Sequence, residues 1–492
     1  MIMQNHQAQP YKYRFFIFLS TFLFFIYPIV HANFFHIDDL GRSLSGYYGW
    51  TSVGRPLATF MYKVLTLNFK NAIDISPLSQ IIGIAVLASA CASVATLDQF
   101  NEYTSMLPLA FLGISPFMVA NYSYRFDSLF MPIAIAFAII PYYFYYRFGT
   151  YTSIILASLS LFAAYNLYQP AINDYLELFI LFSVSFLLGF KRNISLTISA
   201  ISFLLGSALY KMELIFTSIV PKTGFPGLHA SIVLSKNIIE RNFISVLKIL
   251  WHTTKDYPEK LVFLVIALFL AIGVVVFFKK MRNYFFSLVV LCAGIPMIFG
   301  PMLLLKNPIY ESIVFIGFGG FLTTASWLAM FVFSKISKNS YAKVFLFFLM
   351  AYPQMIIAYV YGNAQYSQKQ FINTIGHDID ERIYKITNGR QFYLGIYGAV
   401  PIAQRSMIAS NEYNIVSRSL DRPINWHWYW GKVFLQTYSN INIKHRISAK
   451  DVTKIINNCN LNGYQKYYFM YYNIYYNKFD DTLLIDFSKK CR

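Results

Sequence analysis

Two adjacent carboxylates stand a few residues beyond the first apolar run of this chain. Asp38 and Asp39 follow the run 15–33, so a membrane helix would deliver them to the rim of a bilayer. Two like charges beside a low-dielectric wall raise the pKa of one of them, which prepares it to take a proton from a hydroxyl group. The pair could instead lie in an exposed loop or cap a helix over 40–45. Asp38 and Asp39 are the first catalytic candidates.

Basic side chains flank the acidic pair. Arg42 and Arg55 follow it, and His36 precedes it. A departing phosphate needs cations around it, so both arginines are candidates for binding a phosphate, and His36 is a candidate for the sugar or acceptor site. Either arginine could equally be an interfacial anchor that contacts lipid phosphates.

A second polar group enters the fourth predicted span at the same membrane face. Its members are Tyr124, Arg125 and Asp127. Arg125 is a third candidate for phosphate, or it forms a salt bridge to Asp127 or Asp39. Asp127 either caps the following helix or binds a sugar hydroxyl, and Tyr124 is a sugar-site candidate beside it.

Aromatic rings next to an amide end the fifth predicted span. Tyr168 and Gln169 are residue types that hold sugars, although an aromatic belt at the membrane surface explains the tyrosine almost as well. The aromatic run 426–430 could stack on an acceptor saccharide, form a core strand or dip into the membrane. The histidines lack metal-ligand spacing, so no metal site is assigned, and a divalent cation is left open as a cofactor.

The composition indicates a polytopic α-helical membrane protein. Of the 492 residues, 57% are apolar and only 13% are charged, a balance that a water-soluble fold of this size does not need. Apolar runs near the bilayer-spanning length recur up to residue 361 and predict about eleven transmembrane helices. These are 15–33, 78–95, 106–120, 128–146, 150–166, 171–189, 195–213, 260–278, 284–304, 309–333 and 342–361.

The formal charge of +19 is distributed as in a membrane protein, so we expect no nucleic-acid partner. Lysines and arginines cluster in every second loop, which is the pattern of cytoplasmic loops. With a cytoplasmic N-terminus, an odd number of spans places the C-terminal part outside. The predicted outer loops are then 34–77 and 214–258, and 56–68 is an amphipathic helix on the membrane surface.

Two domains are predicted, a transmembrane domain over 1–361 and an extramembrane domain over 362–492. The tail combines a helical stretch, 370–387, with short apolar runs at 392–396 and 483–487, which favours a small α/β domain. Of the four cysteines, only Cys459 and Cys491 are candidates for a disulfide.

Three segments resemble a known family. They are FHIDDLGRSLSGYYGWTSVGRPLATFMYKVL, DISPL at 74–78 and YRFDSLFMP at 124–132. They are similar to the Gtr-type (GtrII-like) membrane glucosyltransferases that modify O-antigen lipopolysaccharide and convert serotype in Gram-negative bacteria and their bacteriophages. The resemblance implies a GT-C type fold with periplasmic amphipathic helices and an acidic motif in the first outer loop.

The same resemblance implies the reaction. The donor would be a polyprenyl-phosphate sugar, here undecaprenyl phosphate glucose, and the acceptor a sugar of the lipid-linked O-antigen. The enzyme would be a glycosyltransferase of the inner membrane, with its C-terminal domain in the periplasm, working with a donor synthase and a donor flippase. Our hypothesis for its chemistry is an inverting glycosyltransferase that acts by a single displacement. Asp38 or Asp39 would be the base.

The sequence leaves two rival functions open. A polymerase or ligase of lipid-linked glycans would share the topology. A flippase or transporter for lipid-linked sugar predicts polar groups at mid-membrane depth and internal repeats, whereas the charges noted above crowd at one face.

Overall fold

The computed structural model describes residues 10–100, 102–190, 195–220, 227–229, 231–425, 430–438 and 441–491. Most of them are helical. In chain order the α-helices are α1 (Tyr11–Ala32), α2 (Asp38–Ser45), α3 (Pro56–Thr66), α4 (Leu78–Val94), α5 (Phe111–Ile114), α6 (Met118–Ser123), α7 (Phe130–Ile139), α8 (Pro141–Arg147), α9 (Thr150–Leu167), α10 (Ile172–Leu187), α11 (Leu196–Thr217), α12 (Lys236–Thr253), α13 (Tyr257–Val276), α14 (Met281–Cys292), α15 (Gly294–Met297), α16 (Gly317–Ile336), α17 (Ser340–Thr387), α18 (Gln404–Glu412), α19 (Asn414–Ser419), α20 (Trp430–Leu435) and α21 (Ala449–Asn457).

Eight helical segments within these ranges are long and apolar enough to cross a bilayer. They are α1, the run Asp127–Arg147, α9, the run Gln169–Leu187, α11, α13, α16 and α17. The shorter apolar helix α4 lies among them and packs against α1 and α7. This number of apolar helices indicates a polytopic membrane protein.

Two of the eleven predicted spans are broken into short pieces, so the structure does not confirm a count of eleven. Residues 106–120 form a 3₁₀ turn, α5 and the start of α6, while 284–304 contain most of α14, then α15 and another 3₁₀ turn. Both segments carry prolines inside their apolar runs, which remove backbone donors and interrupt an α-helix. The interrupting residues include Pro108, Pro116, Pro296 and Pro301.

The first long loop folds onto the ends of the membrane helices. It contains α2, a 3₁₀ turn at Thr51–Val53, and α3. Trp50 is fully buried, and its ring lies 5.1 Å from that of Tyr62 on α3 and 4.9 Å from that of Phe130 on α7. The opposite side of α3 exposes Phe60 and Val64, as expected for an amphipathic helix.

The tail carries a five-stranded sheet of order β2-β1-β5-β4-β3. Its strands are β1 (Phe392–Tyr397), β2 (Ile443–Arg446), β3 (Gln465–Tyr468), β4 (Asn473–Asn477) and β5 (Thr482–Asp486). β1 pairs in parallel with β2 and β5, while β4 is antiparallel to β5 and to β3. The predicted apolar runs at 392–396 and 483–487 are therefore two central strands.

Helices cover both faces of this sheet. Alternate strand residues such as Leu394 and Ile485 pack against the end of α17, and the intervening Leu484 packs with α21. The helix α17 runs unbroken from the membrane region into this layer, through the predicted boundary between the two domains. A disulfide joins Cys459 to Cys491, the pair that the sequence allowed.

Candidate functional site

Asp39 is enclosed by backbone amides. Its side chain is fully buried, and its two carboxyl oxygens accept hydrogen bonds from the amides of His36 (3.1 Å), Arg125 (2.8 Å) and Phe126 (3.3 Å). Burial raises the pKa of this carboxyl well above its ordinary value, although the amide bonds oppose the shift. These contacts tie the start of α2 to the segment before α7.

Asp38 faces open space instead. Its side chain is 42% exposed, and its partner is Arg42, one helical turn later, with 3.9 Å between Oδ2 and Nη2. No hydrogen-bond donor from the described part of the chain reaches it. Its recessed position raises the pKa of this carboxyl, Arg42 opposes the shift, and Asp127 adds to it. Asp38 is therefore an accessible carboxylate whose pKa is moved toward neutrality.

Asp127 is the centre of a buried ionic network. Arg42 donates to its Oδ2 at 2.5 Å, and the Trp50 indole nitrogen donates to its Oδ1 at 2.9 Å. The Arg55 guanidinium lies 3.7 Å from Oδ1. Asp127 accepts from the Arg42 and Trp50 side chains rather than capping the turn that it begins, whose N-cap position is Phe126. Asp127 thus joins Arg42 and Arg55, the two arginines that follow the acidic pair in the chain.

Arg55 is held by the predicted aromatic and amide residues. Its guanidinium lies 4.6 Å from the ring centre of Tyr168, and its Nε donates to Gln169 Oε1 at 2.8 Å. Gln169 in turn donates to the Tyr210 hydroxyl at 2.9 Å. Gly54 directly before Arg55 has φ +79°, and a Cβ there would come within 2.7 Å of that hydroxyl. The backbone at position 54 therefore requires glycine, and this conformation places Arg55 against Tyr168 and Gln169.

Arg125 points away from this network. Its Nε donates to Asp74 at 2.7 Å, and its guanidinium also bonds to Asn33 and lies 4.7 Å from the Phe35 ring centre. Neither salt bridge considered in the sequence, to Asp127 or to Asp39, is formed by its side chain. The structure therefore groups Arg42 and Arg55 and separates Arg125 from them.

His36 and Tyr124 lie together on the other side of the acidic pair. Both are buried, and their rings meet edge to face at 4.7 Å between centres. Asp421, from the segment after α19, contacts this region, with its Oδ2 3.9 Å from His36 Nδ1 and accepting from the Ile37 amide at 3.0 Å. A distant part of the chain thus reaches the acidic pair.

Sequence reasoning missed several residues of the site. Trp50, Tyr210 and Asp421 carried no spacing that linked them to the acidic pair, although Trp50 stands inside the segment that resembles the glucosyltransferases. The residues 426–429 of the aromatic run lie outside the described ranges, as does the Trp430 side chain.

Acidic residues inside the membrane region were also missed. Asp174 and Glu177 on α10 are fully buried, and three of their four carboxyl oxygens have no hydrogen-bond partner within the described ranges. The fourth, Asp174 Oδ1, accepts from the Gly320 amide. Polar groups therefore occur within a candidate span as well as at one face. Among the described residues, no group of three or more histidine, cysteine or acidic side chains could hold a metal ion.

The fold and the site define the class: a polytopic helical membrane protein with a carboxylate–arginine–aromatic site where its apolar helices end. The chain belongs to the glucosyl transferase GtrII family, whose profile matches residues 27–324. This confirms the resemblance and makes the protein a glycosyltransferase. The matched part contains the acidic pair, the three arginine candidates and the sugar-site candidates His36, Tyr124, Asp127, Tyr168 and Gln169, whereas the aromatic run 426–430 lies beyond it.

One relative covers nearly the whole chain. It is an uncharacterised 55.3 kDa protein in the gtrB 5′ region of Salmonella phage P22, 28% identical over an alignment of 440 positions that covers 85% of this chain and 89% of that protein. No solved structure matches the chain.

The amide contacts of Asp39 predict a large structural effect. Asp39→Ala leaves three buried N–H groups without an acceptor, at about 1 kcal/mol each, so we expect a loss of about 3 kcal/mol in the free energy of unfolding. Asp38→Ala is the matched control, and we expect it to change stability by less than about 0.5 kcal/mol. SDS titration in mixed micelles measures both. Equal stability of the two variants would contradict the observed difference between the carboxylates.

Proposed function

We propose that this protein moves a glucosyl residue from undecaprenyl phosphate glucose to a sugar of the lipid-linked O-antigen. The transfer takes place at the periplasmic face of the bacterial inner membrane, with inversion at the anomeric carbon. One observation carries the proposal: in a glucosyl transferase family member, the accessible carboxylate of Asp38 lies beside Arg42, and Arg42 and Arg55 both contact the carboxylate of Asp127. That set matches what a lipid-phosphate sugar donor requires.

The reaction is a single displacement. The Asp38 carboxylate takes the proton from the acceptor hydroxyl, whose oxygen forms the new bond to the anomeric carbon. The bond from that carbon to the phosphate oxygen breaks, and the electron pair leaves with the polyprenyl phosphate. Phosphate needs no strong acid to depart at neutral pH, so cations beside it suffice.

Arg55 is the better placed of the two phosphate candidates. Its side chain is 19% exposed, against 5% for Arg42. Its contacts with Tyr168 and Gln169 fix the plane of the guanidinium before a ligand arrives, which lowers the entropic cost of binding. We assign Arg42 to the support of Asp38 and Asp127, and Arg125 to the Asp74 contact that holds the first long loop.

The surroundings of the site suit a lipid donor. Arg55 directly precedes α3, whose outer face presents Phe60 and Val64 to the lipid. A polyprenyl chain can lie along this face while its phosphate reaches Arg55. A donor synthase and a donor flippase would supply the lipid-linked sugar on this side of the membrane.

Two features support a periplasmic site and C-terminal domain. The Cys459–Cys491 disulfide persists in oxidising compartments and is rare in the cytosol. The basic loops, among them Arg147 and the pair Lys279 and Lys280, lie at the opposite ends of the spans in the predicted topology. The domain division is then a membrane part over 1–361 and a periplasmic part over 362–492, connected through α17.

The function is tested by the structure of the cell-surface polysaccharide. We expect NMR spectra of the O-polysaccharide to gain the resonances of one side-branch glucose when the gene is expressed in a host that makes the donor. Deleting the host's donor synthase should remove them. A change in chain length without a new branch sugar would indicate a polymerase instead.

The buried pair Asp174 and Glu177 is the observation that favours a transporter as second candidate, because carboxylates within membrane spans often mark ion or proton pathways. The two functions separate in a purified system. A glycosyltransferase joins glucose to the acceptor in detergent, where no second compartment exists, whereas a transporter leaves the donor unchanged there.

A further inference from the structure

A cleft opens beside His36 and Ile37, the two residues before the acidic pair, between the membrane helices and the chain from the end of α19 onward. Its volume is about 210 Å³. His36, Tyr124 and Ser312 lie among its buried lining residues, and Glu311 and Arg418 among the exposed ones. A cleft with a buried floor that contains an aromatic ring, and with a polar opening, suits one small ring-shaped ligand.

The charges around the cleft are balanced. Two carboxylates, Glu311 and Asp421, are matched by two guanidinium groups, Arg418 and Arg422. A free phosphate or an acidic sugar would be repelled by both carboxylates, and this repulsion would offset its attraction to the guanidinium groups. A neutral sugar suits this set better, because each hydroxyl group can donate to a carboxylate and accept from a guanidinium.

One polar atom of the floor lacks a partner. His36 Nδ1 is buried and makes no hydrogen bond to any residue that the structure describes, and the nearest carboxylate oxygen among them, on Asp421, is 3.9 Å away. Burial lowers the pKa of this imidazole, while Asp421 opposes the shift, so the ring is neutral at neutral pH. A buried polar atom without a partner costs free energy, and a ligand hydroxyl in the cleft would remove that cost.

The cleft is coupled directly to the acidic pair. Asp421 accepts a hydrogen bond from the amide of Ile37, which stands between His36 and Asp38. Ile37 has φ +46°, a conformation that a β-branched residue adopts only under strain. Asp421 thus holds the strained peptide that places His36 in the cleft and Asp38 beside it.

We propose that this cleft is the acceptor subsite, which binds a neutral pyranose of the O-antigen between Glu311 and Arg418 and turns one of its hydroxyl groups toward Asp38. The inference rests on the proposed function and adds the residues that select the acceptor. It also gives the chain after α19 a role, since that segment supplies half of the charged groups around the sugar.

Direct binding tests the subsite without depending on turnover. The probe is the O-antigen oligosaccharide of the host strain, released from its lipid, and the full-length protein is held in lipid nanodiscs. We expect Glu311→Gln and Arg418→Gln each to raise the dissociation constant of this oligosaccharide about tenfold, the loss of one charged hydrogen bond. Glu240→Gln, an exposed change on α12, should leave it unchanged.

A second measurement separates a local effect from misfolding, because Arg418 also donates to the Tyr310 carbonyl. In a Cys292→Ser background, Ser417→Cys places a thiol at the cleft, and Asn411→Cys places one on α18 outside it. A bulky thiol reagent should block oligosaccharide binding at the first position only. In both cases the affinity for undecaprenyl phosphate glucose should stay within twofold.

The outcomes distinguish the two proposals. One outcome is that the oligosaccharide binds, the variants weaken this binding, and no glucose is transferred. The acceptor subsite is then supported, and the proposed function fails. The opposite outcome is that the wild-type protein transfers glucose, while the variants and the thiol-blocked Ser417→Cys protein bind the oligosaccharide with normal affinity. The acceptor then binds elsewhere, and the proposed subsite is wrong.

Discussion

Asp38→Asn is expected to lower the turnover number about a thousandfold while the protein stays folded. A positioned general base contributes about 10²- to 10⁴-fold to the rate, and the amide cannot take the proton from the acceptor hydroxyl. The Asp38 side chain accepts no hydrogen bond from the described residues, so its replacement costs little stability. The measurement is single-turnover transfer from undecaprenyl phosphate glucose, with Glu240→Gln as the matched carboxylate control.

The pH dependence of the same rate provides a second test of Asp38. Its carboxyl must be ionised to act, and its recessed position raises its pKa in the folded protein, so the rate should fall as the pH drops through that raised value. Arg42 holds this pKa down, so Arg42→Gln should move the acidic limb of the profile to higher pH. Full transfer by Asp38→Asn, or an acidic limb that Arg42→Gln leaves in place, would remove Asp38 from the mechanism.

Asp127→Ala is expected to cost about 3–5 kcal/mol in the free energy of unfolding. The change leaves the buried Arg42 guanidinium without its partner at 2.5 Å, and an uncompensated buried charge is the expensive case. It also removes the acceptor of the Trp50 indole. SDS titration in mixed micelles gives the stability, and the acceptor and donor KM values give the effect on the site.

A double variant separates the structural part of this effect from the functional part. Replacing both Arg42 and Asp127 by Leu removes both buried charges, which is often neutral for stability, so we expect most of the lost stability to return. Glucosyl transfer by the double variant should stay low, because Asp38 then lacks the guanidinium of Arg42. A double variant with wild-type transfer would show that the buried network serves stability alone.

Local patterns predicted much of the fold. Hydrophobic runs of bilayer length predicted most of the spans, because a helix that crosses lipid needs about 20 predominantly apolar residues. The tail strands β1 and β5 were visible as short apolar runs, because a sheet covered on both faces needs apolar residues on each. The apolar residues of 106–120 and 284–304 predict continuous spans, although the prolines within both segments interrupt the helix in the structure.

The sequence by itself determined the ingredients of the site: adjacent carboxylates, nearby arginines, and their position just beyond an apolar run, all of which are properties of residue type and order. Only the tertiary structure decided their roles. Asp38 and Asp39 are neighbours of the same type, yet the Asp38 side chain faces open space. The Asp39 side chain accepts hydrogen bonds from three backbone amides, which belong to two segments far apart in the chain. Long-range contacts of this kind, including that of Asp421 with Ile37, arise when distant segments pack together, and no local spacing encodes them.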